Sequence, residues 1–383
     1  MAIHFTNKEF KKRQANLILE LNKKKLDGIL MFRQESMYYL SGYDSFGYAM
    51  FQCLYLGADG RMVLLTRAPD LAQAELTSIL DDIRVWKDEA GMNPAKNLKL
   101  LLKELHCENK KLGVEYDSVG LTAHNYRLLE AALKGFCTLD DASNVVNKLR
   151  YIKSNRELEY IREAGILADD AYKAGIELTQ AGAFEGDILA AMQGAVFKGG
   201  GDYAGNEFII GSGEYALLCR YHSGPRRLSK VDQMTLEWAG CYHRYHAAMM
   251  RTVLIGEVSQ EHKVMHEVAT NALLACEDVL KPGNTLGDVF AAHANAMDAG
   301  GFKDHRLNAC GYSMGCAYAP IWVDYPMIYE NNPMLIEENM VFFLHMIIMN
   351  RDSRLAMCPG HTVIVGPNGA ERLSKTTLDL EVR

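Results

Sequence analysis

The segment DQMTLEWAGCYHRYHAAMMRT occupies residues 232–252 and predicts a β-hairpin on which the rest of the fold depends. Its first half alternates in the manner of a strand that has one face in a core. Met234, Leu236 and Trp238 fall on the apolar face, and the other face carries one carboxylate, Glu237. A lone carboxylate on a strand usually faces water. The pattern alone therefore leaves Glu237 either as a solvated side chain or as a functional one.

Composition excludes several classes of protein. The chain has 383 residues, a formal net charge of −7 and no basic run, so we expect neither a nucleic-acid partner nor an anionic membrane partner. No stretch reaches the length of a membrane span, and the N-terminus has no apolar core of signal-peptide length. The nine cysteines are scattered without a C-x-x-C pair, which is typical of a reducing cytoplasm.

Alternating α and β signals precede the hairpin. The predicted strands are 28–32, 50–56, 62–66, 83–86 and 112–116. The predicted helices are 6–25, 70–80, 94–106 and 121–134. The pair Asp59-Gly60 predicts a tight turn between two of these strands. Together they indicate an α/β domain that ends near residue 145.

A second helical region begins at the segment LRYIKSNRELEYIREA, residues 149–164. Ser154 and Glu157 have the spacing of a capping box, which satisfies two free amide groups at a helix start. Further helices are predicted at 184–197, 261–280 and 286–299.

The hairpin resembles the metal-binding hairpin of the creatinase/prolidase/methionine aminopeptidase family, whose catalytic domain has the pita-bread fold. In that family the motif begins with an Asp on the first strand. A Gly-x-Tyr turn comes next, and a second Asp stands just before x-x-Arg-Thr. Residues 36–43 (SMYYLSGY) and 149–164 resemble the family's N-terminal domain and the start of its catalytic domain. The resemblance implies an α+β protein, with a creatinase-like α/β domain over residues 1–148 and a pita-bread domain over residues 149–383.

The family's five metal-ligand positions are largely changed in this chain. By resemblance, Asp, Asp, His, Glu and Glu are replaced by Glu237, Ala248, Tyr312, His345 and Gly360. Because Ala and Gly side chains cannot coordinate a metal, we expect no dinuclear centre and no cofactor. A mononuclear zinc site formed by Glu237, His345 and His361 is a less favoured alternative.

The segments CRYHSG, TLEWAG, YHAAMMRT, GYSMG and LHMIIM together resemble the ectoine hydrolase branch of the family. This resemblance implies metal-independent opening of a cyclic amidine, with a small zwitterion as substrate and a homodimer as the assembly. Glu237 is then the nucleophile or the general base, and His222 transfers a proton to the leaving nitrogen. Arg220 fits the family's His position as well as His222 does. The implied substrate-binding residues are Tyr312, His345, Asp324, Arg220, Tyr221 and His361.

Simpler interpretations exist for several of these residues. His345 lies in an apolar strand and fits a core histidine, Tyr312 fits a packing aromatic, and Asp324 fits a loop cap. Arg33 and Arg220 are the candidates for binding a substrate carboxylate. Two other functions remain open: a creatinase-like amidinohydrolase acting on another small zwitterion, and a binding protein that has lost catalysis.

Overall fold

The computed structural model describes residues 3–220 and 224–383. It divides into two compact units, Met1–Arg150 and Tyr151–Arg383. None of the helices in the described part of the chain combines the length and the apolar character that a membrane-spanning helix needs.

The first unit is an α/β domain. Its helices are α1 (Asn7–Lys23), α2 (Gln34–Ser41), α3 (Leu71–Thr77), α4 (Pro94–Glu104), α5 (Ala123–Leu133) and α6 (Val145–Arg150). Its strands are β1 (Gly28–Met31), β2 (Cys53–Gly57), β3 (Met62–Arg67), β4 (Ile83–Trp86), β5 (Lys111–Val114) and β6 (Thr138–Asp141). Their order in the sheet is β4-β3-β2-β1-β5-β6, and apolar side chains fill both sides of it.

The predicted elements of this unit are present, with shifts at their ends. The turn at Asp59-Gly60 joins antiparallel β2 and β3, and Gly60 adopts the positive φ of +88° that such a turn requires. Strand β2 begins at Cys53, three residues later than predicted, and a short 3₁₀ turn at Gly47–Ala49 precedes it. Strand β6 was not predicted, since its sequence TLDD is mostly exposed and lacks an alternating apolar face.

The second unit combines four long helices with a large sheet. The helices are α7 (Asn155–Leu178), α8 (Glu185–Lys198), α9 (Gln260–Val279) and α10 (Leu286–Ala299). The strands are β7 (Ile209–Ser212), β8 (Asp232–Tyr242), β9 (Tyr245–Ile255), β10 (Ala309–Ser313), β11 (Asp324–Tyr329), β12 (Val341–His345), β13 (Ile348–Asn350), β14 (Leu355–Met357), β15 (Gly360–Gly366), β16 (Gly369–Arg372) and β17 (Glu381–Val382). The main sheet has the order β11-β10-β12-β15-β9-β8-β7.

Helix α7 fixes the hairpin β8–β9 from one side. It starts with the predicted capping box of Ser154 and Glu157. Trp238 of β8 stacks on Tyr172 of α7 with ring centroids 5.3 Å apart, as expected for the apolar face of the strand. At Gly240 a Cβ atom would lie 1.9 Å from the carbonyl oxygen of Ala164, so only glycine permits this approach. The opposite face of β8, which carries Glu237, is therefore left for a site.

Candidate active site

Strand register places Glu237 and His345 on one face of the main sheet. Glu237 pairs with Met250, Met250 with Gly360, and Gly360 with His345. Residues directly opposite each other on neighbouring strands point to the same side of a sheet. Tyr312 joins them, because it pairs with Phe343, which stands two residues before His345. Three separate strands thus contribute the three side chains.

The three side chains are close enough to form one group. The hydroxyl of Tyr312 donates to Glu237 Oε1 across 3.5 Å. The rings of Tyr312 and His345 have centroids 5.6 Å apart. Behind them, the indole nitrogen of Trp322 donates to the hydroxyl oxygen of Tyr312 at 2.9 Å. The result is a chain of hydrogen bonds that ends on a carboxyl group.

Glu237 supplies the carboxyl of this group. Its side chain is half-buried, and burial raises the pKa of its carboxyl to about 7. The positive charge of Arg220 and the hydrogen bond from Tyr312 both act to lower that pKa, but burial outweighs them. A carboxyl with a pKa near neutrality is suited to proton transfer at neutral pH.

His345 contributes a neutral imidazole. Burial, assisted by the nearby charge of His293, lowers the pKa of His345 to about 3. Its Nδ1 atom is buried without a hydrogen-bond partner among the described residues. It therefore carries no positive charge that would pair with Glu237.

Among the described residues, Arg220 is a cation whose charge influences the side chains on this face of the sheet. Its side chain is exposed, and its charge lowers the pKa values of both Glu237 and Tyr312. The predicted residues Tyr221 and His222 lie outside the described residues. The alternative between His222 and Arg220 at the family's His position therefore stays open.

His361 does not join the group around Glu237. It pairs with Leu344 and Met249, so its side chain points to the opposite face of the sheet from its neighbour Gly360. There its ring nitrogen Nε2 is hydrogen-bonded to Glu277 of α9. The structure thus corrects the prediction that His361 lines the substrate site, because successive residues of a strand face opposite sides.

Asp324 and Arg33 have structural partners of their own. Asp324 pairs with Ser313 of β10. A Cβ atom built on Gly315 would lie 3.7 Å from Asp324 Oδ2 and 3.9 Å from Lys153 Nζ, so both side chains lie beside Gly315. Arg33, in the first unit, donates to Asn147 Oδ1 at 3.0 Å and lies 3.5 Å from an Asp117 carboxylate oxygen. A contact of either residue with substrate stays a prediction.

The side chains at the positions that the resemblance assigns to metal ligands do not fit a two-metal centre. Glu237 supplies the one carboxylate, and Ala248 and Gly360 supply no donor atom. At Gly360 a Cβ atom would lie 2.8 Å from the carbonyl oxygen of Leu344 and 3.2 Å from the Phe343 ring, so the strand closes over this position. No cluster of three His, Cys, Asp or Glu side chains suited to a metal ion occurs in residues 3–220 and 224–383.

Trp322 is the site residue that sequence reasoning missed. It is 1% exposed and lies in the segment between β10 and β11, outside any periodic pattern. A buried tryptophan needs a partner for its N–H group. That requirement marks it as a residue to inspect, although it does not identify Tyr312 as the partner.

Comparisons with known proteins agree with this architecture. Residues 159–367 match the model of metallopeptidase family M24, and residues 13–152 match the creatinase/prolidase N-terminal domain. The chain is 29% identical to an uncharacterised hydrolase/peptidase of Sinorhizobium fredii over 333 residues, covering 84% of each protein. It is 26% identical to the ectoine hydrolase of Halomonas elongata over 402 residues, covering 100% of this chain and 99% of that protein.

A solved prolidase from Thermococcus sibiricus superposes with a TM-score of 0.88 at 20% identity, covering 98% of this chain and 99% of that one. At this identity the likeness concerns the fold, and it confirms the predicted pita-bread domain behind a creatinase-type N-terminal domain. The family match spans more than half of the chain, and the chain therefore belongs to metallopeptidase family M24.

Proposed function

We propose that this protein is a hydrolase that opens the cyclic amidine ring of ectoine to an N-acetyl-2,4-diaminobutyrate without a metal ion. The observation that carries the proposal is the isolated Glu237 carboxyl, with a pKa of about 7, facing a neutral Tyr312 and a neutral His345. The full-length similarity to an ectoine hydrolase supports the choice of substrate.

A cationic amidinium matches this site electrostatically. Its N–C–N group brings a positive charge next to Glu237, which lowers the pKa of the carboxyl and keeps it ionised. Ala248 and Gly360 leave no other carboxylate at the former ligand positions to compete for that charge. The substrate itself makes its central carbon electrophilic, so the polarisation that a metal ion supplies in other hydrolases is already present.

Two routes use Glu237 differently. In the first, its carboxylate attacks the amidine carbon and forms a C–O bond; the ring C–N bond breaks as the leaving nitrogen takes up a proton, and water then cleaves the adduct. In the second, Glu237 removes a proton from water, and the resulting hydroxide adds to the same carbon. Both routes consume one water and yield an acetamide and an amine. His222 remains our predicted proton donor to the leaving nitrogen.

The remaining groups hold the substrate. The exposed Arg220 acts on Glu237 through its charge and is the candidate partner for the substrate carboxylate, since Arg33 already binds Asn147 and Asp117. The Tyr312 hydroxyl, which donates towards Glu237, can donate to an oxygen added to the amidine carbon.

The direct test is to incubate the pure protein with ectoine and follow ring opening by proton NMR. We expect turnover that is unchanged after treatment with EDTA and unchanged when Mn²⁺ or Zn²⁺ is added back. Protein quenched during turnover and analysed by mass spectrometry separates the routes, because the attack route adds the substrate's mass to the peptide that carries Glu237.

Other outcomes would change the proposal. Activity that is lost in EDTA and restored by Mn²⁺ would contradict metal independence. Tight ectoine binding without ring opening would favour the binding-protein alternative. Release of the N-terminal residue from Xaa-Pro dipeptides or longer peptides, without action on ectoine, would contradict the substrate assignment.

A further inference from the structure

Trp322 is held in place from two directions. Its main-chain N–H donates to Asn206 Oδ1 at 3.3 Å, and its indole N–H donates to the Tyr312 hydroxyl oxygen at 2.9 Å. The ring is 1% exposed. A side chain fixed in this way can impose an orientation on the group that it contacts.

The chemistry of the two groups determines the direction of the hydrogen bonds. An indole nitrogen can donate a hydrogen bond but cannot accept one, whereas a phenol carries one proton and can also accept. Because Trp322 must donate, Tyr312 must accept at that contact, and its own proton is directed elsewhere. The acceptor within reach among the described residues is Glu237 Oε1, 3.5 Å away. Such contacts are often long in an unliganded site and shorten when the substrate binds.

We propose that Trp322 is a positioning residue that keeps Tyr312 as a hydrogen-bond donor towards Glu237 and towards the atom that Glu237 attacks. The inference deepens the proposed function and rests on it, since it assigns to Tyr312 the task of stabilising negative charge during amidine hydrolysis. Without the indole N–H, the Tyr312 hydroxyl is free to rotate and to accept a hydrogen bond where a donor is needed.

The consequence is measurable on Glu237 itself. The hydrogen bond from Tyr312 lowers the pKa of Glu237, so losing its fixed direction raises that pKa above 7. In the described chain, Glu237 also interacts electrostatically with Arg220, Cys219 and Cys358. His345 lies on the same face and is neutral. In the described part of the chain, the hydrogen bonds of Trp322 go to Asn206 and Tyr312 and to none of these groups, so we expect a change at Trp322 to leave them in place.

The experiment is an infrared titration of the Glu237 carboxyl in the substrate-free protein, with Glu237→Gln as the blank. We expect Trp322→Phe to raise the pKa by roughly half a unit or more, the size of one neutral hydrogen bond. Tyr312→Phe should raise it as well, and adding Trp322→Phe to Tyr312→Phe should cause no further shift. Trp238→Phe is the matched control, because it also loses a buried indole N–H, which donates to Ala168 on the other face of the sheet at 2.8 Å.

A second replacement protects the test against misfolding. β-(3-Benzothienyl)alanine at position 322 keeps the shape of tryptophan and removes only the N–H group, and it should give the same shift as Trp322→Phe. An unchanged Glu237 pKa in the protein with this replacement would overturn the proposal. An equal shift of the Glu237 pKa on Trp322→Phe in the wild type and in Tyr312→Phe would overturn it as well. The titration needs no substrate, so failure of ectoine turnover alongside the expected shifts would overturn the proposed function alone.

Discussion

Glu237 and Glu277 lie on opposite sides of the same sheet and have opposite acidities. Burial works to raise the pKa of both carboxyls. For Glu277 the hydrogen bonds from His361 and Arg372 outweigh burial and lower the pKa to about 2, with an Arg372 nitrogen 2.7 Å from the carboxylate. For Glu237 burial outweighs the charge of Arg220 and the hydrogen bond from Tyr312, and its pKa is about 7.

The difference shows what each side of the sheet does. The helix-covered side satisfies its buried charge with direct partners, which stabilises the fold. The side that carries Glu237 leaves a carboxyl without a cation in direct contact among the described residues, which costs stability and keeps the group available for a ligand.

The largest expected effect separates the two carboxyls by activity. Glu237→Gln should lower ectoine turnover by roughly 10³-fold, because an amide is neither a base nor a useful nucleophile. Glu277→Gln should retain turnover within about tenfold, since its carboxyl faces away from the site. Proton NMR of ectoine consumption at pH 8 checks both. Equal losses in the two variants would contradict the functional division between the faces.

The next effect concerns stability on the helix-covered side. Because the folded-state pKa of Glu277, about 2, is below the ordinary value of 4.5, its ionised form stabilises the fold above pH 4.5, and this contribution is lost as the pH falls towards 2. Glu277→Gln should lower the free energy of unfolding at pH 7 by about 3 kcal/mol. Urea denaturation measures it, with the exposed neighbour Asp278→Asn as the control. A deficit that is as large at pH 3 as at pH 7 would argue against the charge as its cause.

The smallest effect has the opposite sign. The folded-state pKa of Glu237, about 7, is above 4.5, so the folded protein binds the proton more tightly and loses stability as the pH rises from 4.5 to 7. Glu237→Gln should therefore be more stable than the wild type at pH 8, by about 2 kcal/mol after discounting the partial access of the carboxyl to water. At pH 4.5 the two should be nearly equal. The exposed Glu163→Gln on α7 serves as control. A gain of the same size at both pH values would show that ionisation is not responsible.

Much of the fold was predictable because its signals are local. The alternation in β8 identified which side chains enter the core, and Trp238 does stack on Tyr172. The capping box at Ser154 and the turn at Asp59-Gly60 depend only on residues close in sequence. Strand β6 lacks such a local signal, since its position depends on pairing with β5.

The site was predictable in part, and for a different reason. Glu237, Tyr312 and His345 come from three strands, and only the family resemblance indicated that they would meet. The error at His361 was avoidable, because a residue next to a site position on a strand faces the other way. Trp322 acts through a contact with Tyr312, ten residues earlier in the sequence, across a segment without regular structure, so no pattern reports it.

The tight packing at Gly360 restricts the order in which substitutions can accumulate. A side chain at this position collides with the carbonyl oxygen of Leu344, the Cα atom of His345 and the ring of Phe343. A carboxylate introduced at Gly360 alone is expected to disrupt β12 before it can hold a cation. Space must first be made by shifting the backbone at Leu344 and His345, and a smaller side chain at Phe343 relieves the third contact. A ligand at position 360 therefore cannot be introduced by one substitution, and an attempt to engineer a two-metal peptidase from this chain must also move the carbonyl group of Leu344.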